Sequence, residues 1–135
     1  METNGDGDQV LSNTPDPKFA VQQGTPFVRS LLNAIPMPIF YKDKLGRYLG
    51  VNQAFERFYG KTDQEMVGKT VFDVAPPEFA EIYHAKDQEF FINPGLQIYE
   101  ANLKNVQGVL HDVVFHKVPF YADDGTVAGM IGVIV

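Results

Sequence analysis

The chain of 135 residues contains no cysteine, and that one absence removes whole classes of chemistry. Disulfide scaffolds, thiolate nucleophiles, thiolate-bound zinc and any cysteinyl adduct with a chromophore all need the sulfur. Histidine is nearly as scarce, and His84, His111 and His116 are too scattered in sequence to suggest a dedicated metal site. Positive charge is also short. Eleven Lys and Arg stand against 17 Asp and Glu, giving a net charge of −6, which argues against nucleic acid or an anionic membrane as a partner. No apolar run approaches the ~20 residues of a membrane span, and no signal-peptide pattern opens the chain. The expectation is a cytoplasmic protein with no membrane contact through this segment. Phosphate-loop, G-x-S-x-G and H-E-x-x-H patterns are missing as well.

What remains is enough for one domain and a tail, since 44% of the residues are hydrophobic and 21% charged, ordinary values for a chain that buries a core. Residues 1–24 are rich in Gly, Asn, Asp, Pro and Gln, and their apolar residues keep no period, which predicts a flexible leader or linker. The domain is expected over 25–135. Thr25-Pro26 starts a cap helix over about 25–35, with Phe27, Leu31, Leu32 and Ile35 as its apolar face and Pro36 as its stop. From about residue 37 the core begins with two apolar runs, Ile39–Tyr41 and Tyr48–Val51, joined by a polar turn around Gly46, a β-hairpin pattern. Asn52 can cap the next helix, whose Phe55, Phe58 and Tyr59 form an aromatic stripe before Gly60 ends it. Thr62–Glu65 is a capping box, Thr70 starts another short piece, and the longest helix is expected over Glu78–Phe91 with Phe79, Ile82, Tyr83, Lys86 and Phe90 on one face. Leu96–Leu103, Leu110–Phe120 and Thr126–Val135 read as strands. Helix, two strands, four helical pieces and a three-stranded meander make an α+β domain with an antiparallel sheet and helices over one face.

The residues Ile39-Phe-Tyr-Lys-Asp-Lys-Leu-Gly-Arg-Tyr-Leu-Gly-Val-Asn-Gln-Ala-Phe-Glu-Arg-Phe-Tyr-Gly60, then Asp73-Val-Ala-Pro-Pro-Glu78, Tyr99-Glu-Ala-Asn-Leu103 and His116-Lys-Val-Pro-Phe-Tyr121 through the final strand, resemble a PAS sensor domain. The resemblance covers about residues 25–135. It is greatest to the bacterial modules that precede histidine kinases and diguanylate cyclases. It implies a PAS (profilin-like) fold, a five-stranded antiparallel sheet in the order B-A-I-H-G with small helices folded over a cavity. In such a module a small ligand or dimerisation regulates a C-terminal effector domain, and this chain is similar to one excised from a larger protein. By analogy with flavin-binding relatives, the last strand points Met130, Gly132 and Ile134 inward. The strands before it send Tyr99, Ala101, Leu103, Val113, Phe115 and Lys117 the same way. Alternation alone does not choose the face, because Val114 and Val118 are as apolar as Val113. Ile39, Tyr41, Phe55, Phe58, Tyr59, Phe72, Ile82 and Tyr83 complete the candidate pocket, each open between lining a site and filling a core.

The resemblance implies no particular cofactor. His84 lies on the long helix where haem-binding relatives carry their proximal ligand, but it falls one position off the Phe79–Tyr83 stripe, which argues for a solvated ring. Ala101, Leu103, Val113 and Ile134 stand where flavin-binding relatives carry amides, which argues against flavin. Lys117 is the odd residue. An ammonium between Phe115 and Pro119 needs a partner if buried, either Asp87, Glu89 or Glu100 within the chain or the carboxylate or phosphate of a ligand. Two rivals stay open. A small α+β enzyme with a cone-shaped cavity would need a general base, and no carboxylate falls on an apolar face of the expected elements. A purely structural dimerisation module would look the same in sequence. Finally, Met130–Val135 is apolar at every position, so both faces of that strand need cover. The expectation is a homodimer, with Phe27, Leu31, Ile131 and Val133 at or near the contact.

Overall fold

The computed structural model describes residues 26–135, so the expected leader and the Thr25 cap lie outside the described residues. Helix α1 (Pro26–Ala34) precedes the hairpin β1 (Ile39–Asp43) and β2 (Tyr48–Val51). Four helices follow, α2 (Gln53–Tyr59), α3 (Asp63–Met66), α4 (Val71–Val74) and α5 (Pro77–Ile92), and then β3 (Gln97–Lys104), β4 (Leu110–Tyr121) and β5 (Val127–Ile134). The strands form one antiparallel sheet in the order β2-β1-β5-β4-β3, so the last strand is central. Among the described residues no helix is long and apolar enough to cross a membrane.

Local chemistry places the breaks. Asp43 folds the first turn by accepting from the Leu45 and Arg47 amides at 2.9 and 3.0 Å. Gly60, at φ 73°, ends α2 in the left-handed region that a side chain disfavours. Thr62 and Glu65 form the expected capping box at α3.

The sheet is packed over its inner face and, on its outer face, over β1, β2 and β5, whereas Ile98 of β3 and Val118 of β4 stay exposed. On the inner face α2–α5 pack against Phe40, Tyr48, Val51, Leu103, Val113, Phe115, Met130 and Ile134. On the outer face Leu32 of α1 and Ile35 just beyond it join Ile39, Tyr41, Leu49, Ile131 and Val133 in a second apolar cluster. This explains why β5 is apolar at every position: its alternate residues enter two different cores. One sequence expectation needs correction. Ile39 and Tyr41 face the outer cluster and not the inner cavity, because β1 is apolar on both faces and its period names no side. Ile131 and Val133 are half-buried within their own chain, whereas Phe27 and Leu31 are 72% and 53% exposed.

Asn52 ties these parts together and is only 1% exposed. Its Oδ1 accepts from the Phe55 amide at 3.0 Å, the expected cap, and also from the Ile39 amide at 2.8 Å. Its Nδ2 donates to the carbonyls of Leu32 at 2.9 Å and Met37 at 3.0 Å, with Ile35 at 3.3 Å. One amide thus joins the end of α1, the start of β1 and the start of α2. A buried donor or acceptor left unpaired costs about 1–3 kcal/mol. Asn52→Ala is therefore expected to lose about 2–4 kcal/mol in urea unfolding, several times more than removing an isolated helix cap. A loss under about 1 kcal/mol would show that water takes over these bonds.

Candidate functional site

Between the inner sheet face and the four crossover helices lies a cavity of about 390 Å³. The strands supply Phe40 and Lys42 from β1, Tyr48 from β2, Tyr99 and Leu103 from β3, Phe115 and Lys117 from β4, and Ile134 from β5. Phe55 and Tyr59 of α2, Met66 of α3, Val71 and Val74 of α4, and Tyr83 and Asp87 of α5 close it from the other side, with Ala75 next to them. The rings hold one another in place. Phe40 meets Tyr48 and Phe115 edge-on at 6.0 and 6.2 Å between centroids, and Tyr99 stacks on Phe115 at 5.0 Å. Gly132 makes this layer possible, because a Cβ there would stand 2.1 Å from the Phe40 ring.

A buried charge cluster forms the polar part. Asp87 presents Oδ2 to Lys42 Nζ at 2.7 Å and Oδ1 to Lys117 Nζ at 2.8 Å. The side chains of Lys42, Lys117 and Asp87 are 3%, 2% and 5% exposed. Register brings the lysines together: Phe40 and Lys117 both pair with Gly132 across β5, and Lys42 pairs with the next inward residue, Met130. Aromatic faces share the excess positive charge. Lys42 Nζ lies 4.6 Å from the Tyr48 centroid, and Lys117 Nζ lies 4.8 Å from that of Tyr99. Such contacts contribute about 0.5–2 kcal/mol each, whereas burying an ion costs several, so the rings soften the cost of the second ammonium without cancelling it. Burial pushes the Asp87 carboxyl upward, but the two ammonium groups outweigh it and the net shift is downward. Burial drives Lys117 from its ordinary value down to about 8, against the pull of Asp87. On Lys42 burial also opposes the charge, yet Tyr48 and Asp87 prevail and the net shift is upward.

Of the residues singled out in the sequence, Phe55, Tyr59, Tyr83, Tyr99, Leu103, Phe115, Lys117 and Ile134 line the cavity. Val113 and Met130 are buried in the core beside it, with Phe58 and Ala101 packed against that core. Phe72 and Ile82 are half-exposed, at 52% and 55%. The His84 ring packs on Phe72 at 5.0 Å between centroids, and neither residue lines the cavity. The inward face of α5 carries Ala80, Tyr83, Asp87 and Phe90. The expected stripe missed Asp87 because a carboxylate was not counted as a core residue. That also corrects the premise that no carboxylate falls on an apolar face. Of the three partners expected for Lys117, the structure selects Asp87. Phe40, Lys42 and Tyr48 were missed as well. A signal existed in the repeated Phe-x-Lys of Phe40–Lys42 and Phe115–Lys117, which puts a ring and an ammonium on the same face of each strand.

A family profile described as the PAS fold matches residues 32–135. The aerobic respiration control sensor protein ArcB of Escherichia coli K12 is 31% identical over 111 residues, covering 82% of this chain and 14% of ArcB. The chain therefore spans about a seventh of the length of that relative. The solved PAS domain of Bordetella pertussis BvgS superposes with a TM-score of 0.69 at 26% identity, covering 81% of this chain and 82% of that one. VqmA bound to DPO superposes at 0.73 with 22% identity, covering 82% and 57%, which is a likeness of fold.

Replacing Asp87 by Asn keeps its shape but leaves two buried ammonium groups without an anion. The expected loss is roughly 3–5 kcal/mol in urea unfolding, part of it recovered in Asp87→Asn/Lys117→Met. The pH dependence has two limbs. Because the folded Asp87 carboxyl lies below its unfolded value, its contribution is complete above about pH 4 and fades as acid protonates it. For Lys117 the folded value of about 8 lies below the ordinary 10.5. The unfolded chain then holds a proton that the folded chain has released, and stability rises with pH between those values. An unchanged acid limb in Asp87→Asn would show that the cluster does not set the stability profile.

Proposed function

This chain belongs to the PAS fold family, and from that premise we propose that its cavity is the sensory site of a larger signalling protein. In this reading a small ligand enters the cavity and regulates an output domain of the histidine kinase or diguanylate cyclase class. The observation that carries the reading is the cavity itself. A module built only to dimerise has no need of about 390 Å³ of space bordered by a buried charge cluster, and this volume falls at the small end of the ~300–1,000 Å³ typical of ligand sites. VqmA, which has a similar fold, was solved bound to DPO.

The sheet offers the route outward. On β5, Met130 and Ile134 belong to the inner core, whereas Ile131 and Val133 belong to the outer cluster beneath α1. A ligand that moves Phe40 or Lys117 therefore acts on the strand that seats α1. We assign the cytoplasm as its compartment, no haem or flavin, and no catalysis to the domain alone. Asp87 is held as a carboxylate by two lysines instead of being raised toward neutral pH, where a general base works. We further assign a second copy of the chain as a partner through α1, whose exposed Phe27 and Leu31 are one turn apart.

Native mass spectrometry of protein purified from cells is expected to show a small molecule retained in the wild type. Ala75→Phe, which grows into the cavity from its helical side, removes that mass and changes stability by less than about 1 kcal/mol. Wild-type protein with no retained mass, and no thermal response to a metabolite library, would favour the structural reading. For the dimer, sedimentation is expected to find two copies at micromolar concentration and one in Leu31→Asp. A wild type that sediments as a monomer would end that assignment.

A further inference from the structure

The charge of the cavity runs against the charge of the chain. The whole sequence carries −6, yet among the described residues the charged groups lining the cavity are four lysines, Lys42, Lys61, Lys104 and Lys117, and one carboxylate, Asp87. Two of those lysines share the single carboxylate, at 2.7 and 2.8 Å, with their side chains 3% and 2% exposed. Each ammonium has three N–H donors and places one on Asp87. Among the described residues the cluster is thus one negative charge short, in a place where water screens little and fields are strong. The cavity wall beside it is aromatic: Phe40, Tyr48, Phe55, Tyr99 and Phe115.

We propose that the cavity receives a small organic monoanion, a carboxylate carried on a flat apolar body. Its acid group completes the charge balance of Lys42, Asp87 and Lys117, and its body lies among the rings. The inference rests on the cavity being the ligand site. It selects a carboxylate over a phosphate on three grounds: the buried excess is a single charge, no arginine among the described residues lines the cavity to grip a phosphate in bidentate fashion, and a wall of rings suits an apolar body.

The charge that attracts the anion depends on pH. The groups of α5 that act on Lys117 are Asp87 and Lys86, with Tyr83 also in the cavity. From the other elements Lys42 of β1, Tyr48 of β2, Tyr99 of β3 and Tyr59 of α2 face the same space. With Lys117 near 8, neutral pH keeps it mostly protonated and pH 9 does not. Affinity for the anion then falls across that interval, while a neutral ligand of the same shape is unaffected.

The test is an NMR titration of the full chain with 1-naphthoate and benzoate, each beside its carboxamide, and with inorganic phosphate. Each acid is expected to bind at least tenfold more tightly than its amide at pH 7, with shifts at Tyr48, Tyr99 and Phe115, and the ratio is expected to shrink at pH 9. Lys117→Met should weaken the acids about tenfold and leave the amides within twofold. If that variant does not fold, the wild-type ratio at the two pH values carries the test. Amides that bind as well as acids would overturn the anion assignment and leave the cavity as a ligand site. Phosphate that competes equally with the acids would overturn the organic class. Shifts at none of these residues with any probe would overturn the cavity reading and the inference together.

Discussion

Asp87 stands between two ammonium groups that the sheet holds in place, and the inner half of the molecule is arranged around that shortage of negative charge. A lone carboxylate or a lone ammonium at this depth would be discharged or expelled. Here each ion makes the others tolerable, and the cluster joins α5 to β1 and β4 by short bonds of 2.7 and 2.8 Å. Replacing such a set with apolar groups of the same shape is often neutral or stabilising, whereas breaking it is costly. The cluster is therefore less a source of stability than a device that fixes α5 against β1 and β4.

Asn52 does for the opposite face what Asp87 does for the inner one. It draws the end of α1, the first strand and the first crossover helix to a single side chain. Its position just after β2 means that the hairpin, α2 and α1 cannot move independently without stranding a buried polar group. The two hubs meet through β1, which contributes Ile39 to the Asn52 bonds and Lys42 to the Asp87 bonds. An event in the cavity thus has a short, physically continuous path to the outer face.

The central strand β5 has inner residues that share the cavity's core and outer residues that share the cluster under α1. A well-packed layer transmits displacement because it leaves no slack to absorb it. Gly132 is a thin point of this layer, with the Phe40 ring laid over it and Lys117 paired beside it. A side chain there would push Phe40 out of the aromatic wall, so bulk at position 132 damages packing.

The element order, the Asn52 and Thr62 caps and the Gly60 stop were legible in the chain because each rests on local chemistry, whereas the inward register of β3, β4 and β5 came from the family resemblance, since Val114 and Val118 are as apolar as Val113. The register of β1 was not legible. Ile39, Phe40 and Tyr41 are all apolar, and only the presence of α1 on one face and the helices on the other decides which way each side chain points. The sequence likewise identified Lys117 as a residue in need of a partner and offered three acids for it. Choosing Asp87, and adding Lys42 to the same carboxylate, required β1 and β4 to flank β5 across Gly132. By itself the sequence determined the helices, the strands and their antiparallel α+β class, since caps, turns and strand patterns act over a few residues, and the quoted residues carried the resemblance that implied the family and its strand order. Only the tertiary structure decided where charge is buried, because that depends on which distant strands become neighbours.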